Sequence, residues 1–279
     1  MPVIIYSKIN IASTDICEYI IDKYKFNKKD INKWEKIIND KKIEIIKVDK
    51  NVVEFEFKEK CDYLIVPSTH RSESNAKSLC VHVPGNWSIA DLGGERETLN
   101  VCYASKMKTI LLHIKKLAEQ NNMIKDWEIT LEVDHHGPTT PLINSETPIL
   151  FVEIGSNEKQ WNDQNAISLI GDSIIDSIID DTYYPAVLGF GGGHYATKFN
   201  RFELNNGEYE KFNYAIAHIL PKYRFDDFEK NADKMFKQAL EKNVEKIEKA
   251  LIDWKGLRST ERKLIVELCE KNNLIWEKV

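Results

Sequence analysis

Most features that would take a chain out of the ordinary globular class are missing here. Cysteine is scarce: Cys17, Cys61, Cys80, Cys102 and Cys269 are odd in number, widely spread and free of any C-x-x-C pair. That indicates neither a disulfide framework nor a cysteine-type zinc site. The five read as reduced thiols in a cytoplasmic protein. No window holds the ~18 consecutive apolar residues that a membrane span needs. The start, Met1-Pro2-Val3-Ile4-Ile5-Tyr6, reads as a strand, because it lacks the basic residues, long apolar stretch and cleavage site of a signal peptide. Positive charge is not in excess. The formal net charge is -5, which argues against a wholly basic surface but leaves room for a local basic patch. Neither a Walker A loop nor G-x-G-x-x-G is present, so no nucleotide cofactor is expected. Ser68, His70, Ser72 and Glu73 crowd together with Arg71, yet no G-x-S-x-G elbow accompanies them, which disfavours serine catalysis. Internal repeats and low-complexity tracts are absent as well.

What is present is a foldable chain. Its 279 residues are 42% hydrophobic and 30% charged, enough for one large domain or a domain with an appendage. Residues 3–7, 62–67, 79–83, 127–133, 148–154, 186–190 and 214–220 read as strands. Residues 42–48 and 52–57 alternate apolar and polar side chains around Asp49-Lys50-Asn51, which predicts a hairpin. Helices are expected from the caps Ser13-Thr14-Asp15 to about residue 25, over residues 98–121, and from Asn157 to residue 179. The alternation predicts an α/β fold, with a mixed, largely parallel sheet and helices on both faces. Residues 1–225 would form an α/β catalytic domain. Residues 226–254 and 259–272 look like charged amphipathic helices, so residues 226–279 are expected as a C-terminal helical extension packed on it.

The chemistry-bearing residues share a position. Five of the seven histidines, His70, His82, His135, His136 and His194, fall at or just beyond the carboxyl ends of predicted strands. Open α/β sheets bind ligands there. His113 and His218 sit inside a helix and a strand. In a continuous strand, neighbouring side chains point to opposite faces. Gly137-Pro138 ends the strand after His135-His136, so both rings can turn to one pocket. Imidazoles and carboxylates are standard zinc ligands, and an open coordination position activates water. The blander alternative has one histidine capping the strand and the other in solvent. Glu153, at the end of a buried apolar strand, is costly unless paired or ligating, so it is a candidate ligand or general base, with a structural salt bridge as the alternative. Gly191-Gly192-Gly193 could bring backbone amides to a phosphate or an oxyanion, or be a mobile loop. Lys222, Tyr223 and Arg224 form a small basic-aromatic cluster. The lysines of the C-terminal helices, interleaved with glutamates, read as a solvated face.

Taken in order, these stretches resemble the D-aminoacyl-tRNA deacylase family of archaea and plants. The matching segments are Ser68-Thr69-His70-Arg71-Ser72, His82-Val83-Pro84-Gly85-Asn86-Trp87, residues 132–139, Val152-Glu153-Ile154-Gly155-Ser156, Gly191-Gly192-Gly193-His194-Tyr195, residues 217–223 and Asp253-Trp254-Lys255-Gly256-Leu257. Each is weak alone, and the ordered set is specific. Two departures stand out: Asp134, where the family usually has Thr or Ser, and Ala217, where it often has Gly. An added carboxylate beside the histidine pair could alter metal affinity.

The resemblance implies hydrolysis of the ester joining a D-amino acid to the 3′ end of tRNA, as translation quality control in the cytoplasm. It also implies bound Zn2+, as one ion or two, and a fold similar to peptidyl-tRNA hydrolase and the phosphorylase/hydrolase-like proteins. On this reading His82, His135, His136 and His194 are the metal ligands, and Glu153, His136 and His70 are catalytic. Gly191, Gly192, Gly193, Tyr195, Arg71 and Lys222 would bind substrate. The expected partner is tRNA charged with a D-amino acid, with no membrane partner, and the chain would be a monomer or weak homodimer. Alternatives are a peptidyl-tRNA hydrolase or aminopeptidase-like amide hydrolase, and a non-catalytic tRNA- or nucleotide-binding protein.

Overall fold

The computed structural model describes residues 1–72, 75–140 and 142–279, so Glu73 lies outside the described residues. Along the chain come β1 (Pro2–Ser7), α1 (Ile11–Lys23), β2 (Asn27–Asp30), β3 (Lys33–Ile38), β4 (Lys41–Val48), β5 (Tyr63–Arg71), β6 (Ser78–His82) and the short β7 (Gly85–Asn86) and β8 (Thr98–Leu99). Then follow α2 (Ala104–Gln120), β9 (Glu128–Leu131), β10 (Ile149–Ser156), α3 (Glu158–Trp161), α4 (Gln164–Ile179), β11 (Ala186–Phe190), α5 (Thr197–Glu203) and β12 (Ala215–Leu220). The chain closes with α6 (Phe225–Phe228), α7 (Ala232–Glu241), β13 (Ile247–Ile252), α8 (Ser259–Lys271) and β14 (Ile275–Lys278).

The strands make two main sheets. The larger runs β2-β3-β4-β1-β5-β10-β6-β9, and the smaller runs β12-β11-β13-β14. In the larger sheet β4, β1, β5 and β10 are parallel, whereas β6 and β9 run together in the opposite direction to β10. All pairs of the smaller sheet are parallel. The fold is thus α/β with mixed, largely parallel strands, as the sequence pattern predicts. Parallel neighbours need long crossovers, and the helices serve as these.

Strand alternation divides the core. Ile4, Tyr6, Ile65, Leu79, Val81, Val152 and Ile154 pack with Ile16 and Ile20 of α1, Met107 and Ile110 of α2, and Ile170 and Ile174 of α4. The intervening residues Val3, Ile5, Leu64, Val66, Ile149 and Phe151 face the other way. They meet Val52, Val53, Phe55, Phe57 and Ile143 in a second apolar cluster.

That second cluster explains one misplaced expectation. Residues 52–57 form no strand, because their apolar side chains are drawn onto the open face of the sheet. β4 pairs instead with the preceding β3, from Ile38 opposite Lys41 to Lys33 opposite Ile46. The connecting Asn39 and Asp40 both have positive φ, 47° and 62°, the backbone of a two-residue type I′ turn. Helix α1 is capped three residues earlier than expected, by Asn10, whose side chain accepts the Ser13 N–H at 3.0 Å. Helix α2 begins only at Ala104, where Glu245, 141 residues away, accepts the Ala104 N–H at 3.1 Å and the Ser105 N–H at 2.8 Å. No local signal announces such a cap.

The C-terminal stretch also differs from a purely helical one. α8 stands where the last helix is expected, but β13 occupies part of residues 226–254, and β14 follows α8. A short apolar run inside a Lys/Glu-rich stretch cannot be told from a helix by periodicity alone. Burial of Ala250, Leu251 and Ile252 against β11 decides for the strand.

Candidate functional site

The polar residues of four strands share the face that carries the second apolar cluster. In the registers observed, Glu153 of β10 lies opposite Ser68 of β5 and Cys80 of β6, Gly155 lies opposite His70, Phe151 opposite His82, and Cys80 opposite Thr130 of β9. Directly opposed residues, and residues two apart, point to one face. Ser68, His70, Cys80, His82, Thr130 and Glu153 therefore project together. Glu132 continues β9 by its N–H to the Val81 carbonyl at 3.0 Å. Because β6 and β9 oppose β10, their carboxyl ends come back beside the amino half of β10, with His82 opposite Phe151. The site is therefore built on the sheet face rather than only beyond strand ends. The loop after β11 closes over it, held by the Val133 N–H to the His194 carbonyl at 3.1 Å.

Glu132 is at the centre and only 2% exposed. Its Oε1 lies 3.3 Å from His70 Nδ1 and 3.3 Å from His194 Nε2, and its Oε2 lies 3.3 Å from His82 Nδ1 and 3.9 Å from His135 Nε2. Burial pushes its carboxyl up, but the surrounding imidazoles, His194 and His82 foremost, outweigh it and hold the group well below the usual carboxylate range. His135 is driven well below the usual histidine range by burial and then by the neighbouring His82. Burial likewise lowers His136. His70 goes the other way. Burial opposes its charged form, but the carboxylates of Glu153 and Glu132 prevail and push it up to about 9.

The ring contacts confirm convergence of all five strand-end histidines. Ring centroids lie 3.9 Å apart for His82 and His135, 4.8 Å for His135 and His136, 4.7 Å for His135 and His194, and 5.3 Å for His70 and His194. Glu153 Oε2 is 3.4 Å from His70 Nδ1, and His70 Nε2 is 3.1 Å from the Tyr195 hydroxyl. The Trp161 indole N–H donates to the His70 carbonyl at 3.0 Å and steadies that end of β5. A cavity of about 360 Å³ opens on the site, lined among others by Ser68, His70, His135, His136, Glu153 and His194. Val52, Val53, Leu92 and Phe151 give it an apolar wall. A second opening of about 210 Å³, reaching Trp87, Tyr223 and Arg224, shares His135, His136 and His194.

The residues fit a metal ion on structural grounds. Both ring nitrogens of His82 and both oxygens of Glu132 are buried without a hydrogen-bond partner, a costly state that a cation relieves. Donor atoms of His82, Glu132, His135 and Glu153 all lie within 4.8 Å of one another. His135 Nδ1 donates to the Val133 carbonyl at 2.7 Å, which leaves the lone pair on Nε2 facing the cluster. Metal-binding histidines are oriented by this kind of backbone bond. His70, Cys80 and Glu132 form a second such group, in which burial pushes the Cys80 thiol well above its ordinary value and makes it the poorer donor.

The other expected residues are divided between this cavity and other places. Arg71 lines the same cavity, with its guanidinium carbon 5.4 Å from the centre of the Trp161 ring. Gly191 has its N–H bound to the Leu220 carbonyl at 2.8 Å, so that amide is not available to an oxyanion or phosphate. Gly192, Gly193 and Lys222 line a different cavity behind the loop. Ser68 Oγ donates to the Thr69 carbonyl at 3.3 Å and accepts from Asn10, which leaves no nucleophile–histidine pair there. Asp134 turns away from the five clustered histidines: its Oδ2 is 2.6 Å from Nδ1 of His218, outside that cluster, and its Oδ1 accepts the Ile219 N–H at 2.8 Å. From the sequence, Glu132 is part of the 132–139 segment and Cys80 is one of the reduced thiols, with no role in the site assigned to either. The signal for Glu132 was the one used for Glu153, a carboxylate closing an apolar strand.

Comparison with known proteins gives the family and the fold. A family model described as D-aminoacyl-tRNA deacylase matches residues 57–277. The D-aminoacyl-tRNA deacylase of Pyrococcus furiosus is 31% identical, over 98% of both chains. That of Methanocaldococcus jannaschii is 34% identical, over 79% of this chain and 84% of its own. A crystal structure of a conserved protein of unknown function superposes with a TM-score of 0.82 at 24% identity, covering 100% of this chain and 95% of the other, which shows the fold.

Proposed function

Because the chain belongs to the D-aminoacyl-tRNA deacylase family, we propose that it hydrolyses the ester of D-aminoacyl-tRNA, releasing free D-amino acid and tRNA. The observation that supports this most is the buried Glu132–His82 pair, without hydrogen bonds, inside a ring of histidines that opens on a cavity. His82, His135 and Glu132 would hold zinc, with His194 beside them. Bound there, zinc supplies a Lewis acid that activates water near neutral pH.

The chain's own residues handle the protons. Glu153 faces the cavity and accepts the proton of the attacking water. His70 positions Glu153 through Nδ1 and reaches the Tyr195 hydroxyl through Nε2. His136, kept neutral by burial, is able to shuttle a proton toward the departing ribose oxygen. The water's hydroxyl ends on the acyl carbon and its proton on the ribose. The apolar wall of Val52, Val53, Leu92 and Phe151 is suited to shielding the amino-acid side chain from water. Action on tRNA fits a cytoplasmic protein. No helix among the described residues is long and apolar enough to cross a membrane.

The test is release of amino acid from D-tyrosyl- and L-tyrosyl-tRNA, with zinc measured on the same preparation and His136→Ala as control. Release of D-tyrosine alone, weakened in the variant, is expected. No release of D-tyrosine, or equal release of both, would overturn the activity. Equal rates in wild type and variant would overturn the role of His136.

A further inference from the structure

Behind the glycine-rich loop lies a cavity of about 320 Å³ that the hydrolytic site does not use, with Gly192, Gly193, Lys198, Arg201, Lys222 and Asp253 in its walls. Its charges are unevenly committed. Lys198 Nζ is bound to Asp253 Oδ1 at 2.8 Å and to the Val279 carbonyl at 2.8 Å. That pair neutralises itself. Arg201 and Lys222 are exposed, and among the described residues neither side chain has an ion pair or hydrogen bond. Two uncommitted positive charges therefore face one cavity, in a chain whose net charge is -5.

The loop joins this cavity to the histidines. The Lys222 N–H donates to the Gly192 carbonyl at 3.1 Å, which ties the end of β12 to the loop. Gly191 and Gly192 have φ of 113° and 80°, values that L side chains rarely adopt, and they turn the chain so that Gly192 and Gly193 face the basic cavity. His194 lines the hydrolytic cavity, and Tyr195 reaches His70. A Cβ on Gly193 would meet nothing within 4 Å, so this wall is bare backbone with open space in front. Adjacent residues of one loop, Gly193 and His194, thus line the two cavities.

We propose that the basic cavity seats a backbone phosphodiester of the tRNA 3′ end, held by Arg201 and Lys222, while the aminoacyl ester lies across the loop among the histidines. A planar guanidinium matches phosphate oxygens in pairs, and a lysine ammonium adds a point charge. The identity of the polyanion rests on the deacylase reading; the anion chemistry rests on the cavity alone.

The experiment measures equilibrium binding of uncharged tRNA to the full chain over roughly 50 to 200 mM salt. Wild type is compared with Arg201→Glu, Arg201→Lys and Lys222→Ala. Each lost phosphate contact should flatten the slope of log affinity against log salt by about 0.7 for a single-stranded end. Arg201→Glu should weaken binding about tenfold or more at low salt, whereas Arg201→Lys, which keeps the charge, should retain most of it. Arg201 is exposed, and matched melting curves of the Glu and Lys variants separate binding from folding. Unchanged affinity and slope in Arg201→Glu would overturn the proposal. So would a loss of inorganic phosphate binding with tRNA affinity intact, which marks a small-anion site. If wild type binds tRNA through Arg201 yet releases no D-amino acid, the subsite stands and the deacylase reading falls.

Discussion

Glu132 and Asp134 are two residues apart, both buried carboxylates among histidines, and they end in opposite states. Asp134 has each oxygen engaged, one with His218 Nδ1 at 2.6 Å and one with the Ile219 N–H at 2.8 Å. His218 completes the set by donating from Nε2 to the Lys242 carbonyl at 3.0 Å. Glu132 has four ring nitrogens near it, and neither of its oxygens is hydrogen-bonded. A fully satisfied buried polar group fixes structure, whereas an unsatisfied carboxylate ringed by imidazoles is suited to a cation. The contrast separates a clasp between the two sheets from a place to hold a cation.

The strongest way to break this contrast is on activity. Glu132→Gln should lose bound zinc and lower turnover of D-tyrosyl-tRNA by about 100-fold or more, because several kcal/mol of Lewis-acid stabilisation goes with the ion. Metal analysis and single-turnover deacylation read it. Full activity with zinc retained would show that Glu132 is no ligand.

The matching change in the clasp acts on the fold. Asp134→Ala leaves His218 and the Ile219 amide buried without their acceptor, and should cost about 3–5 kcal/mol of stability, seen in denaturant titrations. If the loss falls instead on zinc content at undiminished stability, the two carboxylates are not distinct.

Chelation is a milder probe. A ligand bound only by the native state, at a hundred times its Kd, stabilises by about 2.7 kcal/mol. Melting with and without chelator should therefore differ in wild type and in Asp134→Ala, but not in Glu132→Gln. A difference of equal size in all three would place the metal elsewhere.

The smallest effect is on pH. In chelator-treated protein His70, pushed up to about 9 from an ordinary 6.5, binds its proton more tightly in the folded state. The stability this lends is complete below pH 6.5 and disappears as pH rises through about 9. Glu153→Gln removes one of the two carboxylates that raise His70, so its melting temperature should fall less across that window. Identical pH profiles would show that Glu153 does not act on His70.

Much of the fold was legible because the governing forces are local. β11 falls on residues 186–190 as expected, since a short apolar run ends at a glycine tract. The helix after Asn157 announces itself through its side-chain cap, but where one helix to residue 179 is expected the chain breaks after Trp161 and restarts on a second cap, Asp163. The hairpin at Asn39-Asp40 was missed because charged residues flank it and the apolar alternation of residues 52–57 is the stronger pattern. Of the site, the five histidines were legible from their places at strand ends. The rest followed from register. Glu132 and Asp134 would share a face in a continuous strand, but β9 ends at Leu131, and the chain then turns one carboxylate to each side.

By itself the sequence determined the α/β alternation, the membership of the histidine set and, through its ordered motifs, the family. Those depend on spacing and residue type, which the chain carries at every position. Only the tertiary structure decided that Glu132 sits among the rings, that Asp134 clasps His218, that Glu245 caps a helix 141 residues away, and that the glycine loop has a basic face and a histidine face. Each depends on which distant residues strand register and burial bring into contact.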